Sequence, residues 1–163
     1  MSNRRLIAAG LAALATAVHL AAAGLPKTDV SGSRLLLPLY LVDTTSPTGV
    51  TTIFAVRNEL DTPAEIEIRY FRTDSPQAPQ RSDRATLQGK QVLPVNVRSV
   101  NDLAVDESGL ARGYVVVEAL TEGAAIQGDY FRVTAGEDFA TGFRLLNADP
   151  TSPDNDLCGL FSL

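Results

Sequence analysis

The chain has 163 residues, enough for one domain with a real core, and its 45% apolar content is that of a globular protein rather than a disordered one. Its formal charge of −5 excludes the basic footprint that nucleic acid requires and argues against an anionic membrane surface as partner. A single cysteine, Cys158, excludes an internal disulfide.

The first residues read as a secretory leader. Arg4 and Arg5 make a short basic start, residues 6–23 are rich in Ala and Leu without carboxylate or lysine, and Ala21-Ala22-Ala23 supplies the small residues that signal peptidase requires. Residues 6–25 are barely long enough to span a bilayer, and alanine gives little drive for insertion, so removal is expected rather than retention as an anchor. Cleavage before Gly24 places the mature chain in the periplasm or outside the cell. It removes the only histidine, His19, and leaves 12 basic against 19 acidic side chains, a charge of −7. Residues 1–23 are then the signal peptide, 24–33 a flexible polar segment and 34–163 the folded domain.

The mature chain reads as a succession of strands. Residues 34–42 form the first, and Pro38 places it at a sheet edge or a bulge. Residues 43–49 are a turn cluster, and residues 50–58 a strand apolar on both faces at Ile53-Phe54-Ala55-Val56, so a central one. In residues 64–72, Ala64, Ile66, Ile68 and Tyr70 take one face and Glu65, Glu67 and Arg69 the other, the pattern of an antiparallel sheet with one wet side.

Residues 73–84 read as a long surface loop, and residues 85–97 as a return to the sheet bent at Gly89. A short helix is expected near residues 99–106, with Val100, Leu103, Ala104 and Leu110 on one side and Ser99 or Asn101 as cap. Residues 112–133 read as a hairpin turning at Thr121-Glu122-Gly123. Residues 138–146 form a strand with Phe139, Thr141, Phe143 and Leu145 on one face. Residues 147–156 form a Pro- and Asp-rich loop, and 157–163 a final edge strand or docking tail.

Two segments align without gaps sixty residues apart: Leu60 on Leu120, Ala64 on Ala124, Ile66 on Ile126, and Tyr70-Phe71-Arg72 on Tyr130-Phe131-Arg132. An apolar run with proline precedes each, Leu37-Pro38-Leu39 and Leu93-Pro94-Val95. The order of Leu-Pro strand, loop and hairpin can therefore occur twice, although strands drawn from few residue types also resemble one another by composition.

The fold class expected is all-β, a two-sheet antiparallel β-sandwich of about seven or eight strands. Residues Thr52-Ile53-Phe54-Ala55-Val56-Arg57-Asn58 running into Thr62-Pro63-Ala64, and then Gly128-Asp129-Tyr130-Phe131, resemble exported bacterial immunoglobulin-like or fibronectin-like sandwich domains. The resemblance covers most of residues 35–146 and implies the architecture without transferring any catalytic residue.

Chemistry has few footholds. A Ser-His-acid or Cys-His site needs an imidazole, which the mature chain lacks, and zinc or copper would need His or several Cys. Glu65 and Glu67 share a strand face, but Arg69 beside them marks a solvated charge row, so a hydrolase is disfavoured. Asp149, Asp154 and Asp156 offer hard oxygen ligands that would suit calcium, in a loop whose composition is equally that of a turn. No other cofactor is expected. If Tyr70 and Tyr130 face the core, Phe71 and Phe131 lie on outer faces and can contact a protein. The expectation is a non-catalytic exported module that binds a protein partner or self-associates. The alternative is a subunit polymerising through strand exchange, with residues 157–163 as donated strand.

Overall fold

Ala64, Ile66, Ile68 and Tyr70 are all buried, and the glutamates between them face water or its margin, so the alternation of residues 64–72 sets the orientation of a whole sheet. The structure is a computed structural model that describes residues 32–137 and 139–148. Among the described residues there are nine strands: β1 (Arg34–Asp43), β2 (Val50–Asn58), β3 (Ala64–Arg72), β4 (Arg81–Leu87), β5 (Val92–Asn96), β6 (Leu110–Ala119), β7 (Ile126–Thr134), β8 (Phe139–Arg144) and the two-residue β9 (Leu146–Asn147). They form a five-stranded sheet ordered β4-β3-β6-β1-β9 and a four-stranded sheet ordered β5-β2-β7-β8, with antiparallel pairing throughout. This is the two-sheet sandwich that the strand pattern predicts.

The core lies between the sheets. Leu35, Leu37, Tyr40 and Val42 of β1, Val115 and Val117 of β6, and Phe54 and Val56 of β2 are buried there, together with Ile126 and Tyr130 of β7. Tyr40 and Tyr70 meet edge to face at 6.5 Å between ring centres. The Tyr40 hydroxyl accepts a bond of 2.6 Å from Gln80, whose carbonyl oxygen in turn accepts from the amide of Ala104. One buried phenol thus ties the loop over residues 100–106 to the core.

The two sheets are related by an internal repeat. Exchanging β1 with β5, β2 with β6, β3 with β7 and β4 with β8 converts the order β4-β3-β6-β1 into β8-β7-β2-β5, which is the second sheet. In each sheet the repeated tyrosine stands opposite a buried apolar residue of the lent strand, Tyr70 opposite Val115 and Tyr130 opposite Phe54. Ile66 and Ile126 are both fully buried, and Pro38 and Pro94 stand in the equivalent first strands. Each half therefore lends its second strand to the sheet of the other.

Three expectations are corrected. Residues 112–133 do not form a hairpin, because β6 pairs with β1 and β3 whereas β7 pairs with β2 and β8. The turn itself is present, with Ala124 donating to Thr121 at 3.1 Å and Gly123 at φ 72. It serves as an arch between sheets, since local turn chemistry is the same for both and long-range pairing decides.

The short helix near residues 99–106 is also absent. Asn96 caps a single 3-10 turn at Val97–Ser99, Asp102 then takes φ 63, and Val105 makes a bridge to Ala111. A left-handed residue in the third position after that turn stops any helical path. Finally, the surface loop is shorter than expected. Arg81–Leu87 forms β4 alongside β3, and its charges are matched to those of its neighbour, which hides it from an apolar pattern.

Buried polar groups hold the connections. Asn58 is fully buried; its amide donates to Thr62 at 2.7 Å and Gln88 at 3.2 Å, and its oxygen accepts from Leu60 at 3.0 Å. Arg98 donates to the carbonyls of Ser46, Gly49 and Val50, closing the turn before β2. The Pro38 bulge, between Leu37 and Tyr40, bends β1 away from a regular edge, the alternative foreseen for that residue.

Candidate contact surface

The two outer faces of the sandwich carry opposite chemistry. Across the five-stranded sheet runs an ion-paired row: Arg34 to Glu118, Glu118 to Arg69, Arg69 to Glu67 at 3.8 Å, Glu67 to Arg84 at 3.4 Å, and Arg84 to Glu65 at 3.8 Å. Alternating signs on adjacent strands satisfy one another, and the row is well suited to water. Glu65 and Glu67 thus stand as the charge row that Arg69 suggested.

The outer face of the four-stranded sheet is apolar. Strand register places Ile53 beside Phe131 and Phe131 beside Gly142, with Ala55 beside Pro94 and Val133 beside Ala140. Phe131 is 44% exposed and Val92, at the sheet margin, 50%. The Phe131 ring lies over Gly142, where an added Cβ would come within 2.8 Å of it, so the ring covers the glycine of the neighbouring strand. Charge enters this face at Arg57 and at Asp129, which lies beside Ala55 and across from Arg144.

Phe71 and Phe131 both turn outward, opposite the buried Tyr70 and Tyr130, but they belong to different sheets and lie on opposite sides of the molecule. Phe71 is half-buried and stacks on Tyr114 at 4.7 Å with the rings 2° from parallel. The Tyr114 hydroxyl reaches toward the Pro76 carbonyl at 3.4 Å, which leaves Phe71 partly covered. Phe131 remains the open one. Sequence reasoning missed Ile53, Ala55, Pro94 and Val133 as its companions; the signal available was the run 53–56, apolar on both faces of a strand.

A shallow cleft of about 260 Å³ lies at the other end of the five-stranded sheet, lined by residues including Arg72, Asp74, Asp106 and Arg112. Its charges are spoken for. Arg72 pairs with Asp74, and Arg112 with Asp106. Hydrogen bonds from the Ser108 hydroxyl and the Leu110 amide, with others from Ser108 and Arg112, hold the Asp106 carboxyl down at about 2. A carboxylate so acidic is a poor proton carrier near neutrality. Burial raises the hydroxyl of Tyr40 above the ordinary phenol range and that of Tyr70 further still, so both stay protonated.

Asp149, Asp154 and Asp156, the oxygen cluster considered for calcium, lie outside the described residues, as do Cys158, residues 157–163 and residues 1–23, where the leader is expected. A scan against known protein families finds no match, and no curated protein matches the chain. Among solved structures, the crystal structure of Thermotoga maritima 1070 is similar with a TM-score of 0.51 and 14% identity, covering 71% of this chain and 92% of that one. At that identity the likeness extends to the fold.

Proposed function

We propose that this chain is an exported, non-catalytic sandwich module that works by protein contact, through the outer face of its four-stranded sheet. The observation that carries the reading is the contrast between the two faces. One is neutralised strand by strand with ion pairs, and the other presents Ile53, Ala55, Pro94, Phe131 and Val133 with Val92 at its margin. Contiguous apolar surface of this kind on a soluble domain marks an interface, and an aromatic residue at its middle is the usual anchor.

The partner chemistry follows from the charges. The mature chain is acidic, at −7, while the apolar face carries few charges, at Arg57, Asp129 and Arg144. The partner surface is therefore mainly apolar rather than a basic patch. The leader-like start supports export, and the carboxylates of the cleft beside Arg72 and Arg112 are engaged by those arginines, which supports a role without catalysis.

The experiment compares proteins retained from envelope and culture fractions by immobilised wild-type chain, by Phe131→Glu and by Phe71→Glu. Loss of one discrete protein with Phe131→Glu alone supports the reading. Retention of the same proteins by all three overturns it.

A further inference from the structure

Four strand edges border the two sheets, and three of them are guarded. On β1 the Pro38 bulge breaks the edge, β9 covers its start, and the Thr52 hydroxyl bonds both the amide and the carbonyl of Leu41. On β5 the middle residue is Pro94, which offers no donor. On β4 the residues Arg81, Asp83 and Arg84 bring charge to the edge. These are the devices by which natural sheets avoid pairing with another chain.

Strand β8, the counterpart of β4 in the repeat, has none of them over its first five residues. Phe139-Ala140-Thr141-Gly142-Phe143 contain no charge, no proline and no bulge, and the strand's one charge, Arg144, stands at its last position. Among the described residues, β7 is its only neighbour. Phe143, stacked on Tyr130 at 5.1 Å, is still 45% exposed at the margin of the sandwich.

The free groups of this edge can be placed. The amide of Leu145 donates to Gly128, and the register fixes Tyr130 opposite Phe143 and Arg132 opposite Thr141. In an antiparallel ladder, bonded and non-bonded pairs alternate, so odd residues turn their backbone groups toward β7. Ala140 and Gly142 turn theirs outward.

We propose that β8 pairs with β8 of a second copy, antiparallel about a two-fold axis through Thr141. The sequence chooses this occupant, because it is symmetric about that residue: aromatic, small, Thr, small, aromatic. In this register Ala140 meets Gly142 of the other copy in a bonded pair on each side of the axis, which uses the outward groups. Thr141 meets its own image in the closer, non-bonded position, and Phe143 stands across from residue 139. Thr–Thr cross-strand pairs are favourable, and a self-complementary edge closes as a dimer. The two four-stranded sheets become one of eight strands, and their apolar outer faces become continuous. The inference stands on the edge alone and does not rest on the contact role of Phe131.

The test uses the full exported chain in sedimentation equilibrium over a range of concentrations. Wild type is expected to dimerise. Ala140→Pro removes an outward donor and leaves the β7 bonds intact, and it should weaken the dimer at least about tenfold. In a Cys158→Ser background, Thr141→Cys should cross-link into a covalent dimer under mild oxidation, whereas Thr86→Cys on β4 should not. The cross-link decides the matter should Ala140→Pro fail to fold. A wild-type monomer at every concentration overturns the proposal, as does Thr141→Cys cross-linking no better than Thr86→Cys.

Discussion

The hydroxyl of Thr52 in one sheet bonds both backbone groups of Leu41 in the other, accepting from its amide at 2.9 Å and donating to its carbonyl at 3.2 Å. Thr52 is completely buried, so one side chain completes a strand edge that no neighbouring strand covers among the described residues. Thr52→Val keeps the shape and removes both bonds. It should cost about 1–3 kcal/mol in denaturant unfolding, and Thr52→Ser should cost clearly less.

Gly113 sits where no side chain fits. An added Cβ would come within 1.8 Å of the Phe71 carbonyl and 2.8 Å of the Tyr40 ring. Gly113→Ala should destabilise by about 3 kcal/mol or more, since a backbone atom cannot move aside cheaply. Gly123, at φ 72 with nothing within 4 Å, is a conformational case. Gly123→Ala should cost only about 1 kcal/mol, and the comparison of the two melting curves checks both.

Acid should weaken the fold through exposed turn carboxylates. Asp43, Asp74 and Asp106 all titrate below the ordinary aspartate value of 3.8, Asp106 at about 2, because hydroxyls, amides and arginines bond the charged form. A folded value below the unfolded one adds stability above pH 4 that disappears as the pH falls toward 2. Stability measured across that window should decline, and Asp106→Asn should flatten the decline.

The repeat predicts an interlocked pair of halves. Sheet order requires β2 of the first half between β5 and β7 of the second, and β6 of the second between β3 and β1 of the first. Residues 24–89 and 90–163, made as separate chains, should each lack β structure in circular dichroism and regain it on mixing. A half that folds alone would show that the exchange of strands is dispensable.

Much of the layering was legible in the chain. The period-two pattern of residues 64–72 gave the inward face, the doubly apolar run 53–56 marked a central strand, and Pro38 announced its bulge. The partner of each strand was not legible, because a turn such as 121–123 serves a hairpin and an arch equally well. Strand β4 escaped because its outward charges pay off only against β3. The apolar outer face escaped for a related reason: Ile53 and Phe131 become neighbours only through the β2–β7 pairing. The repeat, by contrast, was readable from Tyr-Phe-Arg occurring twice, and the sheet order gives it a structural form.

Site-specific photo-cross-linking in the producing cell tests the contact role most directly, with the reactive group placed at Pro94 on one outer face and at Arg84 on the other. The account predicts a discrete protein adduct from position 94, lost when Phe131 is replaced by Glu, and no such adduct from position 84. Equal adducts from both positions, or an adduct from position 84 alone, would contradict it.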